Sequence, residues 1–252
     1  MSALLTKREK TNIIINIVIS SLIFICGTGS LIVSAIRQPE QNFFLEFRFM
    51  TVNGTLFTTL ISLSVIIISA VELRKRRELW SARLYHLRLS SAVTETIIAV
   101  VILMSFFPFV PDSPNIFTFE SFNMHLVIPP LSIVSFLLNK KPVTKMSSIT
   151  RMNCAWLITL YAAVVITLIV LGLIPDEKIP YSFMDFKTRP VWYMIYFGCF
   201  IYSLTYVLSF LFTDWNHRIS RFWTEENKAV TKLHKTLHFR KLHHRPKGHF
   251  TA

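Results

Sequence analysis

A series of uninterrupted apolar stretches restricts the possible folds of this chain more than any other sequence feature. Several exceed about 18 residues, the length that an α-helix needs to cross the apolar core of a bilayer. Charged residues make up only 16% of the chain, whereas soluble domains typically contain about 25%. The sequence therefore predicts an all-α, polytopic membrane protein.

Six segments are predicted to cross the membrane. They lie near 12–35, 49–71, 90–110, 122–138, 155–174 and 191–212. The fourth is short, and Pro129 and Pro130 remove backbone donors from it, which predicts a bend. We expect residues 1–214 to form the six-helix domain and residues 215–252 to form a basic cytoplasmic tail.

Lys and Arg residues are unequally distributed between the two sides of these predicted spans. The N-terminus, segments 72–89 and 139–152 and the C-terminal tail together hold 22, whereas the intervening segments hold 5. Because positively charged loops stay in the cytoplasm, this alternation predicts that both termini are cytoplasmic. The cell (plasma) membrane is the expected location, and the net charge of +13 reflects this bias and gives no indication of nucleic-acid binding.

With this topology, three segments that are distant in sequence place polar residues on the outer side of the membrane. These residues are Thr51 and Asn53 at the start of the second span, Asn123 and His125 at the start of the fourth, and Tyr181 and Asp185 in the loop before the sixth. Polar and ionisable groups at this depth are costly, so they indicate a functional site.

Thr51 and His125 are the pair with catalytic potential. An imidazole can take the proton of a Thr hydroxyl as it attacks a carbonyl, and can then return that proton to the leaving oxygen. Asn53, Asn123 and the Tyr181 hydroxyl are candidate donors to the oxyanion, and Asp185 or Glu46 is a candidate third member of the catalytic group. In the alternative interpretation, His125 donates a hydrogen bond to a backbone carbonyl and the pair has no catalytic role.

Other small polar residues of the second span have a simpler explanation. Thr55, Thr58, Ser62 and Ser69 recur at helical spacing and form one stripe. Such stripes commonly bond back to their own helix or pack against a neighbouring one. Gly54 is likewise expected to let another helix approach closely.

Three motifs occur in a fixed order along the chain. They are FRFMTVNGTL at 47–56 on the second span, NMHLVIPPL at 123–131 on the fourth, and IPYSFMDF at 179–186 in the last outer loop. In this order they resemble the family of the androgen-induced protein and the androgen-dependent TFPI-regulating protein, and most of all its bacterial members. The resemblance extends from the first span through the sixth and excludes the tail.

This resemblance implies a six-helix intramembrane threonine hydrolase that cleaves lipid acyl esters, of the type of fatty acid esters of hydroxy fatty acids. By motif position it implies that Thr51 is the nucleophile and His125 the base, with no metal or organic cofactor. Two alternatives stay open. One is a small membrane transporter or lipid-binding protein in which the same residues recognise a ligand, and the other is a lipid acyltransferase.

Glu95 is the acidic residue that falls clearly within a predicted span. The predicted boundaries place it near the cytoplasmic end of the third span, about one turn inside. There we expect it to pair with Arg88 or Arg151, and the alternative is a proton-relay or ion-coupling group. This position is too far from the outer cluster for Glu95 to assist Thr51.

The tail combines apolar residues at helical spacing, Val230, Leu233 and Leu237, with basic residues between them. This pattern predicts an amphipathic helix on the anionic lipids of the inner leaflet. His234 and His238 are four residues apart and could share a metal ion. No carboxylate or thiolate accompanies them, so surface binding is the favoured interpretation.

Overall fold

The computed structural model describes residues 7–37, 43–76, 79–106, 117–138 and 146–243. Within these ranges the chain is all-helical and contains no strand, as the apolar runs predict. The α-helices of the described chain are α1 (Lys7–Arg37), α2 (Met50–Lys75), α3 (Ala82–Phe106), α4 (Phe119–Phe122), α5 (Ile128–Leu137), α6 (Ser148–Met152), α7 (Trp156–Val170) and α8 (Val191–His243).

Five helical segments are long and apolar enough to cross a membrane. They are Glu9–Arg37, Met50–Lys75, Ala82–Leu103, Ser148–Val170 and Val191–Arg221. The fourth of them combines α6, α7 and the 3₁₀ turn Asn153–Ala155 that joins the two helices. These segments cover five of the six predicted spans, and their lengths and compositions indicate a membrane protein.

The remaining predicted span, 122–138, has a different construction. It begins with α4, continues through a π-helical turn at Asn123–Val127 and ends with α5, which has ten residues. The Ile128 N–H donates to the carbonyl of Asn123, the long-range pattern of a π-helix. Pro129 and Pro130 follow in the first turn of α5, where a missing N–H costs little.

The predicted start of the third span is wrong. Helix α3 begins at Ala82, eight residues before the predicted boundary, and the Ser81 hydroxyl accepts a hydrogen bond from the Leu84 N–H at 3.2 Å. Arg88, which the charge count placed in a cytoplasmic segment, is therefore inside the helix and fully buried. A capped start and internal burial let a polar helix end join the bundle despite its low hydropathy.

Glu95 consequently lies in the middle of α3 rather than near its end. It lies thirteen residues after Ala82 and eight before Leu103, where the apolar part of α3 ends. Within the described ranges, no ion pair joins it to Arg88 or to Arg151. The expected position near one end of the helix is thus wrong, because the carboxyl is in the middle of α3. Arg88 makes no direct ion pair with it but interacts with the carboxyl electrostatically.

Helix α3 is the centre of the bundle. It contacts α2, α5, α7 and α8, and more than half of its apolar segment is buried. One core cluster packs α3 against α5 and α8 through residues that include Leu89, Val93, Phe136 and Phe212. A second cluster packs α2 and α3 against α7 and the loop before α8 through Ile98, Tyr161, Val165 and Met184.

The polar stripe of α2 faces other helices, which confirms the packing interpretation. Thr55, Thr58, Ser62 and Ser69 are all buried. Gly54 faces α3 so closely that a methyl group on it would overlap the side chain of Ile98. The absence of a side chain at Gly54 therefore permits the close approach of α2 and α3.

A second close approach, between α1 and α2, gives a prediction about stability. A Cβ placed on Gly27 would overlap the hydroxyl of Thr59, whereas one on Gly29 would lie 3.6 Å from the Phe119 ring, an ordinary contact. We expect Gly27→Ala to destabilise the folded protein by about 1–3 kcal/mol, the usual cost of overpacking. Gly29→Ala is the control and is expected to unfold like the wild type. Titration with SDS in mixed micelles measures both, and equal midpoints for the two variants would contradict the prediction.

Helix α8 continues without interruption from Val191 to His243. It passes the expected boundary at 214/215, so the proposed tail begins as an extension of the last helix. The side chains predicted to form its basic amphipathic face, including Val230, Leu233 and Leu237, lie outside the described residues. The side chains of His234 and His238 are likewise outside the part of the structure that is described.

Candidate functional site

A cavity of about 250 Å³ lies between α2, α3, α7, α8 and the loop that precedes α8. Its wall is almost entirely aliphatic and aromatic. The hydroxyl-bearing residues on it are Thr51, Thr94, Tyr161, Tyr181 and Tyr202. A space with this lining is suited to a hydrocarbon chain, with the hydroxyl groups available to fix a polar end.

Thr51 lies on this wall at the N-terminus of α2, and its side chain is buried. The first N–H groups of a helix have no partner within the helix, and no side chain of α2 caps this end. Instead, the Met50 N–H donates to the Tyr181 hydroxyl oxygen at 3.0 Å. The loop before α8 thus supplies the cap and brings Tyr181 next to Thr51.

Tyr181 is held in place by aromatic contacts as well as by this hydrogen bond. Its ring stacks on Phe183 with centroids 5.3 Å apart, and Phe183 stacks on Phe197 of α8 at 3.8 Å. Phe49 meets the Tyr181 ring edge to face at 6.3 Å. These contacts fix the loop over the end of the cavity where Thr51 lies.

The Tyr181 hydroxyl keeps its proton at neutral pH. Burial raises its pKa, and this effect outweighs the neighbouring groups of Met50 and Thr51, which favour the phenolate. The oxygen accepts from the Met50 N–H, so its own O–H is available as a donor. Tyr181 is therefore the sequence-predicted oxyanion donor that the structure does bring next to Thr51.

Loss of this hydroxyl has an expected structural signature. We expect Tyr181→Phe to leave the Met50 N–H without its acceptor, to accelerate hydrogen exchange at that amide and to cost about 0.5–1.5 kcal/mol of stability. Tyr196→Phe, at an exposed position of α8, is the matched control. Hydrogen exchange with mass spectrometry measures the effect, and unchanged protection of the α2 N-terminus would show that the cap is unimportant.

His125 lies on the π-helical turn, which contacts α1, α2 and α3. Its Nδ1 is buried and makes no hydrogen bond. His125 is not among the residues that line the cavity, and no hydrogen bond joins it to Thr51. The structure therefore places the segment of His125 against α2, but no hydrogen bond forms between the imidazole and the Thr51 hydroxyl.

Two of the predicted oxyanion donors are engaged elsewhere. The Asn53 amide donates to the carbonyls of Phe47 and Phe49, at 2.7 and 2.9 Å. These two bonds use both of its N–H groups and tie the start of α2 to the preceding 3₁₀ turn. The Asn123 amide donates to the carbonyl of Phe119 at 2.8 Å, which leaves one N–H. Asn53 is thus a structural residue here, contrary to the predicted role.

Asp185 has a structural role in the loop rather than a place at the cavity. Its carboxylate accepts hydrogen bonds from the Thr188 hydroxyl and from the N–H groups of Lys187 and Thr188, both at 3.2 Å. The Thr188 hydroxyl is the main cause of its lowered pKa. Because Asp185 is not a cavity-lining residue, it is not positioned as the third member with Thr51 and His125.

Sequence reasoning missed three hydroxyl groups of the cavity wall, those of Tyr161, Thr94 and Tyr202. Tyr161 on α7 donates to the carbonyl of Arg48, immediately before α2, and Thr94 on α3 has a buried hydroxyl without a hydrogen-bond partner. A Tyr within an apolar run is unremarkable in one sequence, so no signal pointed to Tyr161. A predicted start of α3 at Ala82, had the sequence indicated it, would have placed Thr94 deep in the bundle.

In the described part of the chain, no group of three or more His, Cys, Asp or Glu residues is arranged to hold a metal ion. The arrangement instead offers a hydroxyl, a protonated phenol and an apolar pocket. Comparisons with protein-family models, with curated proteins and with solved structures found no match to this chain.

Proposed function

We propose that this protein is an integral membrane hydrolase of lipid acyl esters, with Thr51 as the nucleophile and His125 as the base. The observation that carries the proposal is the position of Thr51, a buried hydroxyl on the wall of an otherwise apolar cavity. A lipid ester needs both parts of this arrangement, because its acyl chain requires an apolar pocket and its carbonyl requires a nucleophile beside a donor.

In the first half-reaction, the Thr51 Oγ attacks the ester carbonyl carbon and His125 takes the hydroxyl proton. The carbonyl oxygen becomes an oxyanion, and the Tyr181 O–H at the α2 N-terminus is the donor nearby. When the carbon–oxygen bond of the ester breaks, His125 returns the proton to the leaving alcohol. The product is an acyl ester on Thr51.

In the second half-reaction, water attacks the acyl-Thr51 ester and His125 accepts one of its protons. Collapse of the tetrahedral intermediate releases the fatty acid, and the proton returns to the Thr51 oxygen. If another lipid hydroxyl replaces water, the same pair performs acyl transfer. The acyltransferase alternative therefore differs only in the acceptor.

This mechanism requires His125 to approach Thr51. Its unpartnered Nδ1 is on the turn that packs against α2, so either a side-chain rotation or one bridging water completes the contact. The second candidate function is a membrane transporter or lipid-binding protein in which Thr51 and Tyr181 recognise a ligand. It is favoured by the fact that His125 and Thr51 are not hydrogen-bonded and that His125 does not line the cavity.

The proposal includes a topology of six crossings with both termini in the cytoplasm of the cell. The segment Phe119–Leu137 then provides the fourth crossing; its 19 residues span about 28 Å at 1.5 Å per residue, close to the thickness of the bilayer core. The substrate enters from the outer leaflet of the plasma membrane, and the tail binds anionic lipids of the inner leaflet. Membership of the androgen-induced protein family belongs to this proposal, and it rests on the resemblance of the motifs at 47–56, 123–131 and 179–186.

The test is covalent labelling of the purified full-length protein with a fluorophosphonate probe of the kind that reacts with serine hydrolases. We expect the probe to modify Thr51, as mapped by mass spectrometry, and His125→Ala to abolish the modification. Modification of another residue would overturn the mechanism. No modification, combined with saturable binding of a lipid ester without turnover, would support the transporter or binding function instead.

A further inference from the structure

Two fully buried charged residues occupy the middle of the helix bundle. Arg88 and Glu95 both have 0% of their surface exposed. They are seven residues apart on α3, which is about two helical turns, so they lie on the same face of the helix. Charged residues within a membrane-spanning helix are rare and mark a function in most cases.

The surroundings of this pair are rich in hydroxyl groups. Arg88 donates from Nη1 to the Ser62 hydroxyl on α2 at 2.9 Å. The Ser91 hydroxyl donates to that of Thr58 at 2.9 Å and lies 3.4 Å from that of Ser132 on α5. Helices α2, α3 and α5 therefore meet in a polar layer inside an apolar bundle.

The hydrogen-bonding capacity of the two charged groups is incompletely used. Neither carboxylate oxygen of Glu95 makes a hydrogen bond of ordinary geometry, and neither do Nε and Nη2 of Arg88. Thr58 and Arg88 are close enough to interact with the Glu95 carboxyl electrostatically. A buried carboxylate with so little direct support is costly, whereas its protonated form is neutral, so the group is suited to exist in two states.

The packing around Glu95 decides what could bind there. A Cβ placed on Gly54 would lie 3.7 Å from the Glu95 Oε1, so the α2 backbone lies directly against the carboxyl. Glu95 and Arg88 do not line the cavity. A proton needs no space, whereas a metal ion or an organic ligand needs further donors and room.

No other charged group of the described chain balances Glu95. Helices α5 and α7 contain no charged residue. Helix α2 carries Glu72, Arg74 and Lys75 at its end, the π turn carries His125, and the segment before α7 carries Arg151. The described inner part of α8 carries Asp214, His217, Arg218 and Arg221. None of these interacts with the Glu95 carboxyl, so Arg88 is its charge partner.

We propose that Glu95 is a proton-binding site in the interior of the helix bundle, with Arg88 as the cation that stabilises its charged form. The reaction is the addition of one proton to the carboxylate to give the carboxylic acid, and its reverse. Thr94, the preceding residue on α3, lines the cavity. The site does not depend on the hydrolase function, because it uses neither Thr51 nor His125.

The test is infrared difference spectroscopy of the full-length protein in lipid nanodiscs, between low and high pH. We expect the wild type to lose a carboxylic-acid carbonyl band on raising the pH, and the band to be absent from Glu95→Gln. Glu95→Asp should retain a shifted band, and Arg88→Gln should keep the acid form to a higher pH. A wild-type band that persists in Glu95→Gln would overturn the proposal.

Glu72→Gln is the matched control. Glu72 on α2 is also buried, but its Oε1 accepts a hydrogen bond from the Leu79 N–H at 2.6 Å near the end of the helix. The Glu72→Gln spectrum is expected to keep the band that Glu95→Gln loses. If instead the band disappears in Glu72→Gln and survives in Glu95→Gln, the proton binds to Glu72 on α2 and the proposal is wrong.

A measurement on the wild type covers the case in which the variants do not fold. Dicyclohexylcarbodiimide adds to protonated carboxyl groups in apolar surroundings and leaves a stable acylurea. We expect modification of Glu95, mapped by mass spectrometry, to decrease as the pH rises. Modification confined to other carboxyl groups at every pH would overturn the proposal.

Discussion

Replacement of Thr51 by Ala is expected to lower the turnover of a lipid ester by about 10³-fold or more, and His125→Ala is expected to have a loss of similar size. The first variant lacks the nucleophile, and the second leaves it without a base. Because the two residues act as one unit, the double variant should be little worse than either single variant. Steady-state kinetics on a panel of lipid esters measures all three.

Two further variants make this comparison decisive. Thr51→Ser keeps a hydroxyl and should keep measurable turnover, whereas Thr55→Ala removes a buried hydroxyl one turn further along α2 and should leave turnover within a few-fold of the wild type. If the pair only recognises a ligand, each loss should correspond to about 1–3 kcal/mol of binding free energy. Full turnover by Thr51→Ala would exclude the hydrolase mechanism.

Removal of one member of the buried charged pair is the second change with a large expected effect. We expect Arg88→Met to destabilise the protein by about 3–5 kcal/mol, because it leaves Glu95 without its charge partner in an apolar interior. Arg88→Met combined with Glu95→Gln should recover a large part of this loss, since neither charge then remains.

Arg218→Met is the matched control for this prediction. Arg218 pairs with Asp214 at 2.8 Å on an exposed face of α8, and exposed pairs contribute about 0–1 kcal/mol. SDS titration in mixed micelles gives the free energy of unfolding of each variant. If Arg88→Met were no more destabilising than Arg218→Met, the charges of Arg88 and Glu95 would not be coupled.

Hydropathy predicted the apolar helices of this fold and failed where polar residues are internal. The five long helices were expected because their apolar runs leave few other structures possible in lipid. The start of α3 was missed because the stretch that contains Arg88 reads as a loop in any hydropathy window. Some of its polar groups have partners on α2 and α5, Ser62 for Arg88 and Thr58 and Ser132 for Ser91. Such partners cannot be recognised in one sequence.

The candidate site was predicted in part for a similar reason. Thr51 and Tyr181 are distant in sequence, and the placement of both at the outer ends of their segments was enough to expect them together. The roles of Asn53 and Asp185 were not predictable, because each is decided by local backbone bonds, to Phe47 and Phe49 in one case and from Thr188 in the other. Topology predicts which residues lie close together, whereas the hydrogen bonds decide which of their polar groups remain free to contact a substrate.

The π-helical turn at Asn123–Val127 has a consequence for how this protein can diverge. Such a turn contains one residue more than an α-helical turn, so it is what a one-codon insertion into a regular helix produces. Deletion of one codon there would restore the regular helix and rotate the preceding residues by about 100° relative to α5. A single insertion or deletion, without any substitution, can therefore change the direction in which His125 points while leaving α5 and its packing intact.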